Sequence, residues 1–286
     1  MAATRVAVLG SINMDLTTHT ERLPRPGETV LGDSFENSQG GKGANQALAA
    51  ARSGATTTFL GAVGDDAFAE ELLRTLTDSG VDVQFTRRTT GPSGIAAIAV
   101  DAAGENTIVV VAGANGAMRD LTDAERAVIA DADIMLCQLE IPVDTVLAGA
   151  AHARANGTLV VLNPSPVQKL PDALVDAVDL LVVNEAEAAA IGSDVVDRIP
   201  HVVTTLGAAG ARYRGPQSSA DVAAPTVDAV DTTGAGDAFA GALAAEWSTG
   251  AEAAVRWACA AGAFAATRRG AGSSSGVRND IESLLA

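Results

Sequence analysis

The chain's 286 residues suit one large α/β domain, a single unit spanning 1–286, and are too few for two full enzymes. Its net charge of −16 argues against nucleic acid or an anionic membrane as partner, because both are polyanions. Apolar residues make up 48% but aromatics only 3%, so the core rests on Ala, Val, Leu and Ile, as in parallel sheets covered by small-residue helices.

Taken in chain order, strand-length apolar runs alternate with helical patterns. Val6–Gly10 reads as a buried strand, Gly43–Ser53 as an Ala-rich helix and Thr57–Ala62 as a strand. Ala67–Ser79 is an amphipathic helix ended by Gly80. Strands are expected at Ile134–Leu139, Leu159–Leu162, Leu180–Val183 and Val202–Leu206, with helices at Val143–Asn156 and Glu185–Ile191 between them. Gly236–Ser248 and Ala251–Arg268 read as long helices. This alternation predicts a mostly parallel sheet with helices on both faces. Two stretches break it. Gly32–Asn37 and Gly94–Val111 look like strands without intervening helices, the second turning near Gly104 as a hairpin does. The pattern fits either a flap over a site or an antiparallel extension of the sheet edge. Gln217–Ala220 reads as a polar loop, and the Gly/Ser-rich run Gly270–Gly276 as a loop with a local task.

Cys137 and Cys259 lie in apolar runs and read as buried thiols, with neither disulfide nor zinc spacing. The apolar stretch in MAATRVAVLGS is too short for a signal sequence, and no run of about 18 apolar residues is present, so a cytoplasmic location is expected.

Several polar or glycine clusters fall at the carboxyl ends of expected strands, where open α/β sheets bind ligands. The most informative is Asp231–Asp237 (DTTGAGD), which opens a helix. Gly234, Ala235 and Gly236 let a ligand approach the backbone, and the unpaired N–H groups of the helix start make an anion hole. Asp237 fits two readings there: a helix cap, or a general base aimed at a hydroxyl. The second cluster, GGKGAN at Gly40–Asn45, is not a P-loop, because Glu36 stands where its first glycine belongs and Gly43 where Ser or Thr belongs. It either presents Lys42, Asn45 and backbone N–H groups to a polar ligand or simply enters a helix. Asn13 and Asp15 in GSINMD fit hydroxyl recognition or a plain turn. Glu140 and the group Asn184–Glu187 follow later strands, and Thr205, Gly207 and Gly210 form a further glycine-rich corner. The G-x-G-x-x-G of a dinucleotide-binding dehydrogenase is missing after the first strand.

From Val6 to about Ser274 the chain resembles the ribokinase family of sugar kinases, on the motifs GGKGANQALAAARSGA and DTTGAGDAFAGAL. The resemblance implies a Rossmann-like α/β/α domain with a small β-sheet lid from about 12–40 and 90–115, which also commonly forms a dimer contact. It implies ATP-dependent phosphorylation of a sugar, D-ribose to D-ribose 5-phosphate. Asp237 would be the base, and Gly234, Ala235 and Gly236 the anion hole. Asn13, Asp15, Gly41, Lys42, Gly43, Asn45 and Glu140 would hold the sugar. Thr205, Gly207, Gly210, Gly236 and Asn184 would line the ATP site, with adenine near Cys259. Asn184 and Glu187 would lie near Mg²⁺ and its waters. An activating K⁺ would take Asp231, Thr233 and Ser274, with the carbonyls of Ala265, Arg268 and Gly270. Two departures stand out: the short stretch from Gly192 to Val202, where relatives place a further helix, and GAGSSSG, which lacks the usual proline. Rival acceptors are 2-deoxyribose, another pentose or hexose, or a nucleoside. The scarcity of aromatics speaks against a nucleoside base. A non-catalytic sugar sensor would have lost the base or the anion hole, and both motifs are intact.

Overall fold

The computed structural model describes residues 2–286. In chain order β1 (Arg5–Leu9), β2 (Asn13–His19) and β3 (Ser34–Gly40) precede α1 (Lys42–Arg52). β4 (Thr56–Leu60) and β5 (Ala62–Val63) precede α2 (Ala69–Asp78), and β6 (Arg87–Arg88), β7 (Gly94–Val100) and β8 (Asn106–Val111) precede α3 (Asp123–Asp131). Then come β9 (Ile134–Cys137), α4 (Val143–Asn156), β10 (Leu159–Leu162), α5 (Asp172–Val175), β11 (Leu180–Asn184), α6 (Glu185–Ile191) and α7 (Ser193–Val196). The chain closes with β12 (His201–Thr205), β13 (Ala211–Arg214), β14 (Ser219–Val222), α8 (Ala235–Glu246), α9 (Ala251–Ala266) and α10 (Arg278–Leu285).

The main sheet has eight strands in the order β14-β13-β12-β11-β10-β9-β1-β4. From β4 to β12 every pairing is parallel, and β13–β14 adds an antiparallel hairpin at one edge. Both faces are covered, which explains the unbroken apolar runs. Along β1, Val6 and Val8 enter one core and Ala7 and Leu9 the other; along β11, Leu180 and Val182 divide from Leu181 and Val183 in the same way. The first core is sealed by α1, α2, α8 and α9, and the second by α3, α4 and α5. Cys137 and Cys259 are free and buried, and burial pushes their thiols up to about 12 and about 11.

A separate four-stranded sheet, β3-β2-β7-β8, is built from the two stretches that broke the alternation. It is a sheet of its own rather than an edge extension. Its β2, however, is Asn13–His19, a segment whose start the sequence suggested was a turn after the first strand. MDLTTH carries too few apolar residues to announce itself, because most of the strand is only partly buried. The partner strand spans Ser34–Gly40 rather than Gly32–Asn37, displaced toward GGKGAN.

Three further expectations are corrected. The polar loop at Gln217–Ala220 is replaced from Ser219 on by the edge strand β14, whose exposed polar residues hide its pairing with β13. The short Gly192–Val202 stretch does hold a helix, though α7 is only four residues long. The helices α3 and α10 were not foreseen, although Thr122 and Glu125 form a capping box at the start of α3, a signature readable as T-x-x-E. Among the described residues, no helix is long and apolar enough to cross a membrane.

Candidate active site

The expected clusters meet at the carboxyl ends of the parallel strands. At the head of α8 the helix-cap reading of Asp237 fails. Gly234 is the N-cap residue, with φ of 77°, and Asp237 lies three positions on, making no capping bond. Its buried carboxylate is instead held from α1: Asn45 Nδ2 donates to Oδ2 at 2.9 Å, and Gln46 Nε2 donates to Oδ1 at 2.9 Å. Each oxygen keeps acceptor capacity for one more partner. Burial pushes the Asp237 carboxyl up; Lys42 and the two amide bonds pull the other way, and Glu140 adds to the rise. The net rise makes it a better proton acceptor than an ordinary carboxylate.

The turn into α1 places the donors. Gly41 has φ of 85°, a left-handed conformation that bends the chain from β3 into the helix, so that Lys42 is its first residue. Lys42 N donates to Glu140 Oε2 at 3.0 Å, and Ser11 Oγ donates to the same oxygen at 2.6 Å. Gly43 N in turn donates to Ser11 Oγ at 3.3 Å. Glu140 thus ties the ends of β9 and β1 to the start of α1. Asn13 Oδ1 accepts from Asn115 Nδ2 at 2.8 Å, and Asn115 Oδ1 accepts from Ile12 N at 3.0 Å, which fixes the entry to β2. Gln39, at the end of β3, donates to Asn45 Oδ1 at 3.1 Å, joining the small sheet to this network.

Asp15 is close enough to Glu140 and Asp237 to feel both charges. Burial first, then those two carboxylates, raise its pKa to about 7. Protonation therefore favours the folded, unliganded state. The corresponding stability is fully present below the ordinary carboxylate range and is lost as pH rises from there to about 7. Asp15→Asn should accordingly raise Tm at about pH 8 and change it little at about pH 4. Thermal melts of both proteins at the two pH values check this; an equal shift at both would show that the Asp15 charge is not the cause.

Two cavities lie beside the head of α8. A small one of about 160 Å³ is lined by Lys42, Asn163, Asn184, Glu187, Gly236 and Asp237, among others. A long cleft of about 940 Å³ runs on past Thr205, Gly207, Gly210, Phe239 and Cys259. Asn184, Thr205 and Gly236 line both, so the head of α8 stands where they join. The lining of the cleft mixes apolar residues such as Val227, Phe239 and Cys259 with Gly207, Gly210 and Gly236, which suits a flat heterocycle joined to an anionic chain.

Asn184 and Glu187 form a reciprocal capping box on α6: Glu187 N donates to Asn184 Oδ1 at 2.8 Å, and Asn184 N donates to Glu187 Oε2 at 2.9 Å. The side-chain oxygens of these two residues, which line the small cavity, are hard donors of the kind that a hydrated Mg²⁺ accepts. Further along, Asp231 accepts from Thr233 N at 2.9 Å and from Gly270 N at 3.0 Å. Burial alone would raise its pKa, but these bonds and Arg269 hold it below the usual carboxylate range. Ala265 O accepts from Arg268 N, and Ser274 Oγ donates to Ala271 O at 2.6 Å. The chain before α8 and the Gly/Ser-rich loop therefore come together. A carboxylate that stays ionised beside this loop could serve as an anionic ligand for a weakly hydrated cation such as K⁺.

Several residues of the network were not singled out in the sequence: Ser11, Gln46, Asn115, Gln138 and Asn163. Gln138 and Asn163 directly follow β9 and β10, so the strand-end rule that found Glu140 reaches them too. Gln46 is one helical turn beyond Lys42 and shares its face.

A buried carboxylate and a glycine-lined helix start, set between a small polar cavity and a long cleft, define a phosphotransferase with an alcohol acceptor. The chain belongs to the pfkB family of carbohydrate kinases, whose family model matches residues 3–277. It is an ATP-dependent, ribokinase-like sugar kinase. It is 36% identical to the ribokinase of Haemophilus influenzae over 301 residues, covering 98% of each chain. It is 34% identical to the deoxyribokinase of Salmonella typhi over 290 residues, covering 94% of each. It also spans 48% of the longer bifunctional ribokinase/ribose-5-phosphate isomerase A of Fructilactobacillus sanfranciscensis, at 37% identity. Among solved structures, Arabidopsis thaliana ribokinase complexed with ribose and ATP superposes with a TM-score of 0.93 at 30% identity, over 100% of this chain and 99% of the other.

Proposed function

We propose that the chain transfers the γ-phosphoryl group of ATP to O5 of D-ribose, with Asp237 as general base. The observation that carries this reading is the placement of Asp237: buried, held by two amides, three positions into α8, at the wall of the small cavity. The sugar lies among Asn13, Asp15, Gly41, Lys42, Gly43, Asn45 and Glu140, which come from β2, the α1 turn and the end of β9. Asp237 takes the proton of the attacking hydroxyl as its oxygen bonds to phosphorus. The backbone N–H groups at Gly234, Ala235 and Gly236, with the dipole of α8, stabilise the charge that builds on the transferring group, the Ala235 N–H being released from Thr232 O, to which it donates at 3.2 Å in the unliganded chain. ATP occupies the long cleft, its base toward Cys259 and its phosphates toward Gly236, past Thr205, Gly207, Gly210 and Asn184. Mg²⁺ would offset phosphate charge, and Asn184 and Glu187 would hold it through its waters. K⁺ would take Asp231, Thr233, Ser274 and the carbonyls of Ala265, Arg268 and Gly270.

The likeness to a deoxyribokinase favours 2-deoxyribose as the second acceptor to consider. Phosphorylation assays over ribose, 2-deoxyribose, fructose and adenosine discriminate. Ribose is expected to give the highest kcat/KM; a clear preference for 2-deoxyribose would replace it, and no turnover of any sugar would sink the reading.

The small sheet serves as the lid and as the contact of a homodimer. Its edge strand β8 leaves Ile108, Val109, Val110 and Val111 each about half exposed, and Phe35 on the opposite edge strand is 64% exposed. An apolar edge of this kind is normally covered. Sedimentation should give a dimer for the native chain and a monomer for Val110→Lys; a native monomer rejects the assembly.

A further inference from the structure

Asp237 is held by a chain of amides that continues beyond its direct partners. Gln46 lies on α1 and has no exposed surface. Its Nε2 has two hydrogens and spends both on acceptors: Asp237 Oδ1 at 2.9 Å and Asn163 Oδ1 at 3.0 Å. Asn163 cannot turn to accommodate a flipped Gln46, because its own Nδ2 donates to Val182 O at 2.9 Å. The carbonyl end of Gln46 accepts from Gln138 Nε2 at 2.5 Å. Reversing the Gln46 amide would set its oxygen against a carboxylate and a second carbonyl, and its nitrogen against a donor. Only one sense of the chain Gln138→Gln46→Asp237 satisfies all three.

Gln138 completes this arrangement at a cost to itself. It is fully buried, and its Oε1 has no hydrogen-bond partner. A buried orphan of that kind is rare in a folded protein. The backbone makes room for it: a Cβ on Gly10 would lie 2.2 Å from Gln138 Oε1. The space beside Gly10, at the end of β1, is thus filled by an amide whose one satisfied end points at Gln46.

We propose that Gln46 is a positioning residue for the catalytic carboxylate, and that Gln138 acts through it by fixing the sense of its amide. The inference rests on the reading of Asp237 as general base. Gln46 holds Oδ1 in place and favours the ionised carboxylate, because a donor prefers a charged acceptor. The other charged groups facing Asp237 are Lys42 from α1, Glu140 beyond β9 and Asp15 from β2, and they are unchanged when Gln46 is altered.

The test is ribose phosphorylation with Mg·ATP as a function of pH, together with equilibrium ribose binding and thermal melts. Gln46→Met should lower kcat about 10- to 100-fold and move the acid limb of the kcat profile up by about one pH unit, with ribose affinity held within about threefold. Gln138→Met, which leaves both direct bonds to Asp237 in place, should move the limb the same way by less. The double variant should be no worse than Gln46→Met alone, because the second residue acts through the first. An unmoved acid limb in Gln138→Met, or additive losses in the double variant, overturns the relay. Should Gln46→Met fail to fold, the limb of Gln138→Met decides alone. A wild-type chain that phosphorylates no sugar rejects the base reading instead, and is seen before any variant is made.

Discussion

Asp237→Asn should leave a folded chain that binds ribose and ATP but turns over about 10²- to 10⁴-fold more slowly, the usual worth of a positioned general base. The substitution keeps the shape of the side chain and removes its ability to take a proton. Its structural cost is bounded by two opposing effects. An amide presents one acceptor and one donor to two donors, Asn45 Nδ2 and Gln46 Nε2, so one bond is lost. Against that, the buried charge disappears, and burial is the largest influence raising the Asp237 carboxyl. Tm should therefore move by only a few degrees, roughly what about 1 kcal/mol gives in a chain of this size. The wild-type pH profile supplies the companion result: kcat falls on the acid side as Asp237 takes up a proton, starting above the ordinary carboxylate range because its pKa is raised. A variant with near wild-type kcat and the same acid limb would remove Asp237 from the reaction. Loss of sugar binding along with turnover would make it a binding group rather than a base.

How far the sequence foretold this site depends on how each residue is held. Val6–Gly10, Val143–Asn156 and Leu159–Leu162 were legible because strands and helices buried in the sheet layers carry dense apolar patterns. Asn13–His19 was not: a strand of the small sheet needs only a partly buried face, so its pattern thins to a single Leu between threonines and a carboxylate. β14 was hidden for the same reason at the outer edge of the main sheet. In the site, Asp237, Lys42 and Asn45 stood out because glycines surround them, and glycine clusters are visible in one dimension. Gln46, Gln138 and Asn163 did not. Their significance lies in hydrogen bonds between residues 92 to 191 positions apart, which no local pattern encodes. The ambiguity at Asp237 had a comparable origin. A carboxylate near a helix start fits a cap as readily as a base, and the two part company only once Gly234 is seen as the N-cap residue and α1 as the holder of the side chain.

The glycines at the head of α8 should separate the building of the anion hole from its occupation. Gly234 has φ of 77°, and a Cβ there would lie 2.7 Å from both Cα and the carbonyl oxygen of Ala271. Gly234→Ala thus meets two penalties. The left-handed conformation costs a side-chain-bearing residue about 1–2 kcal/mol. The methyl also has to push away the loop that begins at Gly270, whose N–H is bonded to Asp231. Both loops flanking the helix start would shift, and with them the N–H groups proposed to form the anion hole. The expected result is a Tm lower by several degrees and kcat down about 10²- to 10³-fold, as for the loss of an oxyanion donor. Gly236 is different. A Cβ there meets nothing within 4 Å, and the residue lines both cavities, so its missing side chain leaves open space for a ligand. Gly236→Ala should keep the wild-type Tm, and even gain slightly because alanine is the better helix former. It should still lose phosphoryl transfer, because the methyl would stand on the path proposed for the phosphate chain. The pair is checked by melting curves and by kcat and KM for ATP: Gly234→Ala loses stability and turnover together, Gly236→Ala loses turnover and ATP affinity alone. A Gly236→Ala chain with native kinetics would mean that the phosphates do not run past the head of α8, and the anion hole would have to be sought elsewhere.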